Sequence, residues 1–167
     1  MESGDIARAA SFDCDEPTLT EWIKKHAWQS HNSGSARVYV CLDPTGNEVA
    51  AYYSLSSGAV LQGDVSARVA HGMPASVPIL RIGRIGVDRR LKGQGVGRQL
   101  VLHAFENARD ISEKTGVRAV VVESKPDAIK FYQKLQFFEQ SPKIPELFYC
   151  MMKDIKKTLN AASTRKP

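Results

Sequence analysis

The chain has 167 residues, of which 43% are apolar and 25% charged; this is the make-up of one globular domain with a proper core, not of a disordered or fibrous chain. No apolar run approaches the length of a membrane span, and MESGDIAR lacks the charged-then-apolar layout of a signal peptide, so a cytoplasmic protein without a membrane partner is expected. The net charge of +5 points to anionic partners, whereas Cys14, Cys41, Cys150 and four scattered histidines lack ligand spacing, which predicts reduced thiols and no metal site.

In chain order, FDCDEPTLTEWIKKHAWQ reads as a helix: Pro17 suits its first position, and Leu19, Trp22, Ile23 and Ala27 form an apolar face. After the polar break HNSGSA, residues 37–42 read as a strand, 43–47 as a turn and 48–56 as the second strand of a hairpin. Residues 57–77 show no clear period. Within them SARVAHGMP reads as a short helix ended by proline, and a loop of this length is expected to flank an acceptor site. The next strand, ILRIGRIGV, contains Gly83 and Gly86, which mark a bulge or a place where something packs on the backbone.

Val96, Leu100, Ala104, Ala108 and Ile111 fall at helical steps, with a stop at Thr115-Gly116. Residues 117–122 form a buried strand by their β-branched content. Ser124-Lys125-Pro126-Asp127 opens a second helix carrying Ala128, Phe131, Tyr132 and Leu135 at i, i+3, i+4 and i+7. Phe131 and Leu135 are expected in the core, whereas the Tyr132 hydroxyl calls for a partly wet neighbour. Residues 147–152 (LFYCMM) close the sheet, and one domain over 1–153 is expected, followed by a basic, flexible tail at 154–167. An antiparallel front half and a crossover-connected back half give an α+β fold with a mixed sheet.

The stretch RRLKGQGVGRQL organises the chain. Strand, glycine turn and helix follow one another, so the backbone at Gly93, Gly95 and Gly97 comes close to a ligand while the first N–H groups of the helix point at it. Those donors, the helix dipole and the flanking Arg89, Arg90, Lys92 and Arg98 favour a pyrophosphate. The spacing is neither that of a P-loop nor G-x-G-x-x-G.

Lys92-Gly93-Gln94-Gly95-Val96-Gly97 resembles the acyl-CoA signature Q/R-x-x-G-x-G/A of the GCN5-related N-acetyltransferase (GNAT) superfamily, with Lys92 in place of Gln or Arg. Phe131 to Phe137 (FYQKLQF) resembles the superfamily's F-Y-x-x-x-G-F segment, with Gln136 in place of glycine. FDCDEPTLTEWI, Gln29, Ala36-Arg37, AYYSLS and ILRIGRIGVDRR look like the toxin subgroup of bacterial type II toxin–antitoxin systems. The likeness runs from about Phe12 to Met152.

The resemblance implies a GNAT-like mixed, mostly antiparallel sheet flanked by helices, with the acyl-CoA site at the strand–glycine turn–helix. It implies acetyl-CoA as cosubstrate, no metal, and cofactor contacts from Ile85, Gly86, Val87, the 92–98 loop (Lys92, Gly93, Gln94, Gly95, Val96, Gly97, Arg98), Ser124 and Phe131. Tyr132 would be the acid that protonates the leaving thiolate, with Glu123 a candidate base. The subgroup acetylates the α-amino group of aminoacyl-tRNA, is silenced by a ribbon-helix-helix antitoxin and forms homodimers; Arg37, Arg84, Arg89 and Arg90 would then meet tRNA. An acetyltransferase for a small amine or protein N-terminus, and a non-catalytic acetyl-CoA-binding module, stay open as alternatives.

Overall fold

The computed structural model describes residues 1–163. Six strands form one sheet in the order β1-β2-β3-β4-β6-β5; it is mixed, as the order of elements predicted. Backbone contacts divide the chain into two compact units, one of residues 1–56 with 83–101, the other of 57–82 with the chain from 102 on.

The first unit holds α1 (Asp5–Arg8), α2 (Pro17–Lys25), α3 (Ala27–Ser33) and β1 (Arg37–Leu42), together with the first part of β2 (Val49–Leu61), the last part of β3 (Ser76–Val87) and the start of α5 (Val96–Ser112). Pro17 takes the first helical position of α2, and the Glu16 carboxylate caps it by accepting from the Thr18 N–H at 3.2 Å. The single helix expected across 17–29 is two. His26, at φ −120° and ψ −21°, ends α2 and starts α3. Trp22, Ile23 and Ala27 are buried as their spacing predicted. The 37–42 strand has the expected bounds, and its hairpin pairs Arg37 with Leu55 through Cys41 with Ala51 before an irregularity at Leu42.

Tyr52 centres this core. Its ring meets Phe12 edge-on at 5.5 Å and stacks on Trp22 at 5.8 Å, while its hydroxyl donates to the Leu19 carbonyl at 2.8 Å. Gly86 lies under the same ring: a Cβ there would stand 2.7 Å from Tyr52 Cε1. The glycine inside the strand is therefore a packing requirement.

In the second unit, β3 runs parallel to β4 (Ala119–Glu123), from Ile79 with Ala119 to Ile82 with Val122. β6 (Leu147–Met151) lies antiparallel to β4, and the two-residue β5 (Glu139–Gln140), too short to show in the sequence, pairs with β6. Val69, Val77, Ile79, Val121 and Tyr149 are buried together. Part of the illegible stretch is strand, since β2 continues to Leu61; Gly58 fits there against Ile79, whose Cδ1 would be 3.3 Å from an added Cβ. The short helix expected nearby is α4 (Ala67–Ala70), and Arg118 caps its end by donating to the carbonyls of Arg68, Val69 and His71 at 2.9, 3.0 and 3.3 Å. α6 spans Ile129–Leu135 after a 3₁₀ turn at Pro126–Ala128.

The flexible tail expected from residue 154 is corrected over most of its length. Met152–Ser163 form α7, with Met152, Ile155 and Leu159 buried at three- and four-residue steps. That stripe supplies the apolar face that the polar composition hid. Residues 164–167 of the expected tail lie outside the described residues.

Two substitutions test these packings. Gly86→Ala is expected to destabilise the protein by about 1–3 kcal/mol through the clash with Tyr52, seen as a lower urea midpoint; an unchanged midpoint would mean that the strand shifts freely. Ile155→Ala is expected to lower stability by about 2–4 kcal/mol, whereas a tail would show no change in the same unfolding curve.

Candidate functional site

The glycine loop between β3 and α5 belongs to the first unit. Gly93 and Gly95 have φ of 77° and 81°, and nothing stands within 4 Å of where a Cβ would be on either. The loop thus turns a bare, open backbone surface outward. Among the described residues, the N–H groups of Gly93, Gly95, Val96 and Gly97 donate to no backbone carbonyl outside the helix. The first helical amides have no acceptor within the helix either. Amides without acceptors, an unobstructed glycine surface and a helix N-terminus are what an anionic diphosphate requires, so the residues fit that part of acetyl-CoA.

Asp88 sets where the loop leaves the strand. Its buried carboxylate accepts from the Arg90 N–H at 3.0 Å, Arg90 Nε at 2.8 Å and the Asp13 N–H at 3.3 Å. Burial pushes the carboxyl pKa up, but the Arg90 side chain and the two N–H groups outweigh it, so the group sits below the ordinary carboxylate value. Arg89 pairs with Asp13 at 3.2 Å, Arg90 reaches Glu48 at 2.8 Å, and Lys92 pairs with Asp15 at 2.9 Å. Sequence reasoning counted the cations here and missed the acids that hold them. The signal was present in Asp88 directly before a short turn, a capping position, and in the acidic run 13–16.

Ile85, Gly86 and Val87 follow on β3 beyond its last pair with β4 at Ile82. Of the four candidate RNA-binding arginines, Arg89 and Arg90 share one 3₁₀ turn, Arg84 lies over the Trp22 ring at 4.5 Å, and Arg37 on β1 donates to the His31 carbonyl at 3.4 Å. All four are exposed.

In the second unit, Tyr132 is more enclosed than its helical stripe predicted, at 3% exposure, whereas Phe131 and Leu135, expected in the core, are only half-buried. The reason is a cage of aromatic rings: Phe131 at 4.9 Å, Phe148 at 5.5 Å and Phe138 at 5.6 Å from the Tyr132 centroid. Phe137 and Phe138 in turn pack on Phe105. The hydroxyl makes no hydrogen bond among the described residues, and it is absent from the fully enclosed unpaired atoms, Ser66 Oγ and Ser124 Oγ. Its oxygen is thus not wholly sealed, although the ring is far more enclosed than the partly wet surrounding that the sequence called for. Burial pushes the phenol pKa well up, so it holds its proton at neutral pH. Such a group can give a proton and is poorly suited to take one.

Gln136 ends α6 at φ 57° and ψ 12°, in the left-handed region anticipated for a position where the resembled family has glycine. Glu123, at the end of β4, is ion-paired with Arg81. Ser124 follows it, buried, with its N–H donating to the Glu146 carbonyl at 2.8 Å. Both line a cavity of about 420 Å³ with Asp64, Arg81 and Glu146. No group of histidine, cysteine and carboxylate side chains among the described residues is arranged to hold a metal, and no described helix is long and apolar enough to cross a membrane.

Comparison with known proteins agrees with this geometry. The chain is 32% identical over 151 residues to the "tRNA-acetylating toxin" of Mycobacterium tuberculosis (strain ATCC 25618 / H37Rv), covering 90% of this chain and 89% of that one. Among solved structures, AtaT complexed with acetyl-methionyl-tRNAfMet is 26% identical with a TM-score of 0.81, covering 90% and 91% of the two chains. A tyrosine-to-phenylalanine variant of AtaT, bound to the C-terminus of the antitoxin AtaR and acetyl-CoA, is 26% identical with a TM-score of 0.75, covering 92% and 89%. The family model of the acetyltransferase (GNAT) family matches residues 5–137, and the chain, with its open glycine loop ahead of α5, belongs to that family.

Proposed function

We propose that this protein is a toxin that transfers the acetyl group of acetyl-CoA to the α-amino group of aminoacyl-tRNA and thereby blocks translation. The observation that carries the proposal is the likeness to a tRNA-acetylating toxin over nine-tenths of both chains; AtaT, complexed with an acetylated aminoacyl-tRNA, supports it. The family match runs through both units, which favours one acetyltransferase domain that includes α7. A ribbon-helix-helix antitoxin, a homodimer and a cytoplasmic location belong to the same reading.

Acetyl-CoA, when bound, supplies an acetyl group activated as a thioester. In our reading the amides of Gly93, Gly95, Val96 and Gly97 hold its diphosphate, with Gln94, Arg98 and Lys92 beside them, and Lys92 leaves Asp15 to do so. N–H groups of Ile85, Gly86 and Val87 are donors for the carbonyl oxygen that gains charge, while Ser124 and Phe131 line the way to it. Tyr132 keeps a proton on its hydroxyl until the thiolate leaves. The acceptor amine of an aminoacyl ester is far less basic than lysine, so much of it is neutral near pH 7 and attacks without a carboxylate base. Glu123, tied to Arg81, is then not needed as one. Arg37, Arg84, Arg89 and Arg90 would meet tRNA phosphates by exchanging exposed partners, a change of small energetic cost.

The direct test is incubation with radiolabelled acetyl-CoA and charged total tRNA. Label on RNA-linked amino acids is expected; label confined to small amines or protein N-termini would favour the other acetyltransferase reading. Gly95→Asp, which sets a negative charge on the open glycine surface, is expected to lower acetyl-CoA affinity by about 100-fold, or ~2.7 kcal/mol, by calorimetry, with circular dichroism unchanged. Equal affinity would move the diphosphate elsewhere.

Tyr132→Phe is expected to reduce kcat by roughly 10²–10⁴ while the Kd for acetyl-CoA holds. Because burial raises the phenol pKa, the protonated, active form persists into alkali. The wild-type rate should therefore climb as the acceptor amine loses its proton at about pH 7–8 and stay level to about pH 10. A falling limb between pH 8 and 10 that disappears in Tyr132→Phe would contradict the raised pKa.

A further inference from the structure

The helix that carries Tyr132, α6, has only seven residues. Two helical turns do not hold their own place, so contacts from outside decide where the phenol stands. Two of the rings against it come from the chain that follows: Phe148 from β6, and Phe138 from the position just ahead of β5. Phe148 sits inside a strand whose five residues all pair with β4. Phe138 has no such support, because the pairing of β5 with β6 stops at Glu139 opposite Tyr149.

Strand alternation puts Glu139 and Tyr149 on the face of the sheet away from Phe138 and Phe148. There Tyr149 is buried with Val69, Val77 and Val121, and its hydroxyl both accepts from the Ser66 N–H at 2.9 Å and donates to the Glu139 carboxylate at 3.2 Å. The second carboxylate oxygen accepts from Arg68 of α4 at 3.2 Å, and Arg68 also pairs with Asp154 of α7 at 2.7 Å. One acid thus ties a two-residue strand to β6, α4 and α7 from behind.

The two halves of this clasp are unequal. The side chains of Arg68 and Glu139 are 48% and 36% exposed, and an ion pair so open to water contributes little by itself. Tyr149, by contrast, has no exposed surface. A hydroxyl donor left unmet there is costly, so its bond to Glu139 is the part that resists displacement.

We infer that Glu139 is a positioning residue for the acetyl transfer: held from behind by Tyr149, it keeps β5 in place, and with it Phe138 against the ring of Tyr132. The inference rests on the reading of Tyr132 as the acid, given above, and adds what holds that acid in position. Glu139 acts only through its neighbours. If β5 loosens, Phe138 withdraws and the two-turn helix shifts, and a proton donor displaced from the leaving sulfur loses much of its effect.

The test is a double-mutant cycle on kcat, read as transfer to the charged tRNA that the wild type labels fastest, with the Kd for acetyl-CoA measured alongside. Glu139→Ala and Tyr149→Phe, the second of which removes a single oxygen, are each expected to lower kcat by roughly tenfold while the Kd holds. In the Tyr132→Phe background, where no phenolic proton is left to place, neither change is expected to lower kcat further. Glu139→Gln, which keeps an oxygen for the Tyr149 hydroxyl and gives up the ion pair, is expected to stay within about threefold of the wild type. A folded Glu139→Ala or Tyr149→Phe protein that works at the wild-type rate overturns the inference, as does a Glu139→Gln protein as slow as Glu139→Ala. The same proportional loss in the Tyr132→Phe background also overturns it, since the clasp would then serve the fold alone. Should Glu139→Ala not fold, Tyr149→Phe decides. A Tyr132→Phe protein with undiminished kcat overturns the reading of Tyr132 as the acid and this inference with it, so that one variant tells the two failures apart.

Discussion

The Asp88 carboxylate is the contact on which the glycine loop of the first unit depends. It is almost fully buried, yet it is surrounded by donors from the N-terminal segment and from the first residues after the strand. Its own N–H donates to the Ala50 carbonyl at 2.9 Å. One residue thus fixes the exit of β3, through its N–H against β2 and through its carboxylate against residue 13. A buried charge is costly unless each lone pair is met, and here Arg90 and two main-chain amides meet them. Because its pKa is lowered, the clasp is intact above the ordinary carboxylate range and loosens only as pH falls through that lowered value.

From that clasp the route to function is short. A fixed strand exit gives a fixed 3₁₀ turn, which gives a loop whose two left-handed glycines lie open, which gives a helix N-terminus with amides that have no acceptor. The cations around the loop start out engaged with Asp13, Asp15 and Glu48. Their pairs are exposed, so exchanging a carboxylate for a phosphate costs little. The loop thus combines cations held by exchangeable surface carboxylates with backbone amides whose direction the turn fixes.

Much of this was legible in the sequence wherever one local rule acted alone. The 37–42 strand, the glycine turn and α5 followed from β-branched content, glycine spacing and helical period, and Gly86 was flagged by its oddness in a strand. Legibility failed where tertiary contacts decide. His26 breaks a helix that periodicity carried through, α7 is amphipathic under a polar composition, and β5 exists only because β6 lies beside it. In the site, the cations were visible and their acidic partners were not, since Asp13, Asp15 and Glu48 meet them across long sequence separations. Tyr132 was judged by a stripe on its own helix, but Phe138 and Phe148, from outside that helix, enclose it.

The two departures from the family motifs, Lys92 and Gln136, fall at positions where backbone conformation sets the local geometry. An ammonium cannot grip a diphosphate in two places as a guanidinium can, yet at 92 it stands beside amides that have no acceptor, and Asp15, itself held at φ 60°, keeps it close to the loop. At 136 a side chain in the left-handed region costs about 1 kcal/mol, and the helix still ends there, followed by a Gln133–Gln140 side-chain bond at 3.1 Å that ties α6 to β5. That bond and the rings of Phe138 and Phe148 hold α6 and its Tyr132 from outside the helix. A side chain in place of the motif glycine therefore costs stability while the end of α6 keeps its left-handed turn, and so the motif's letters can drift while its backbone geometry persists.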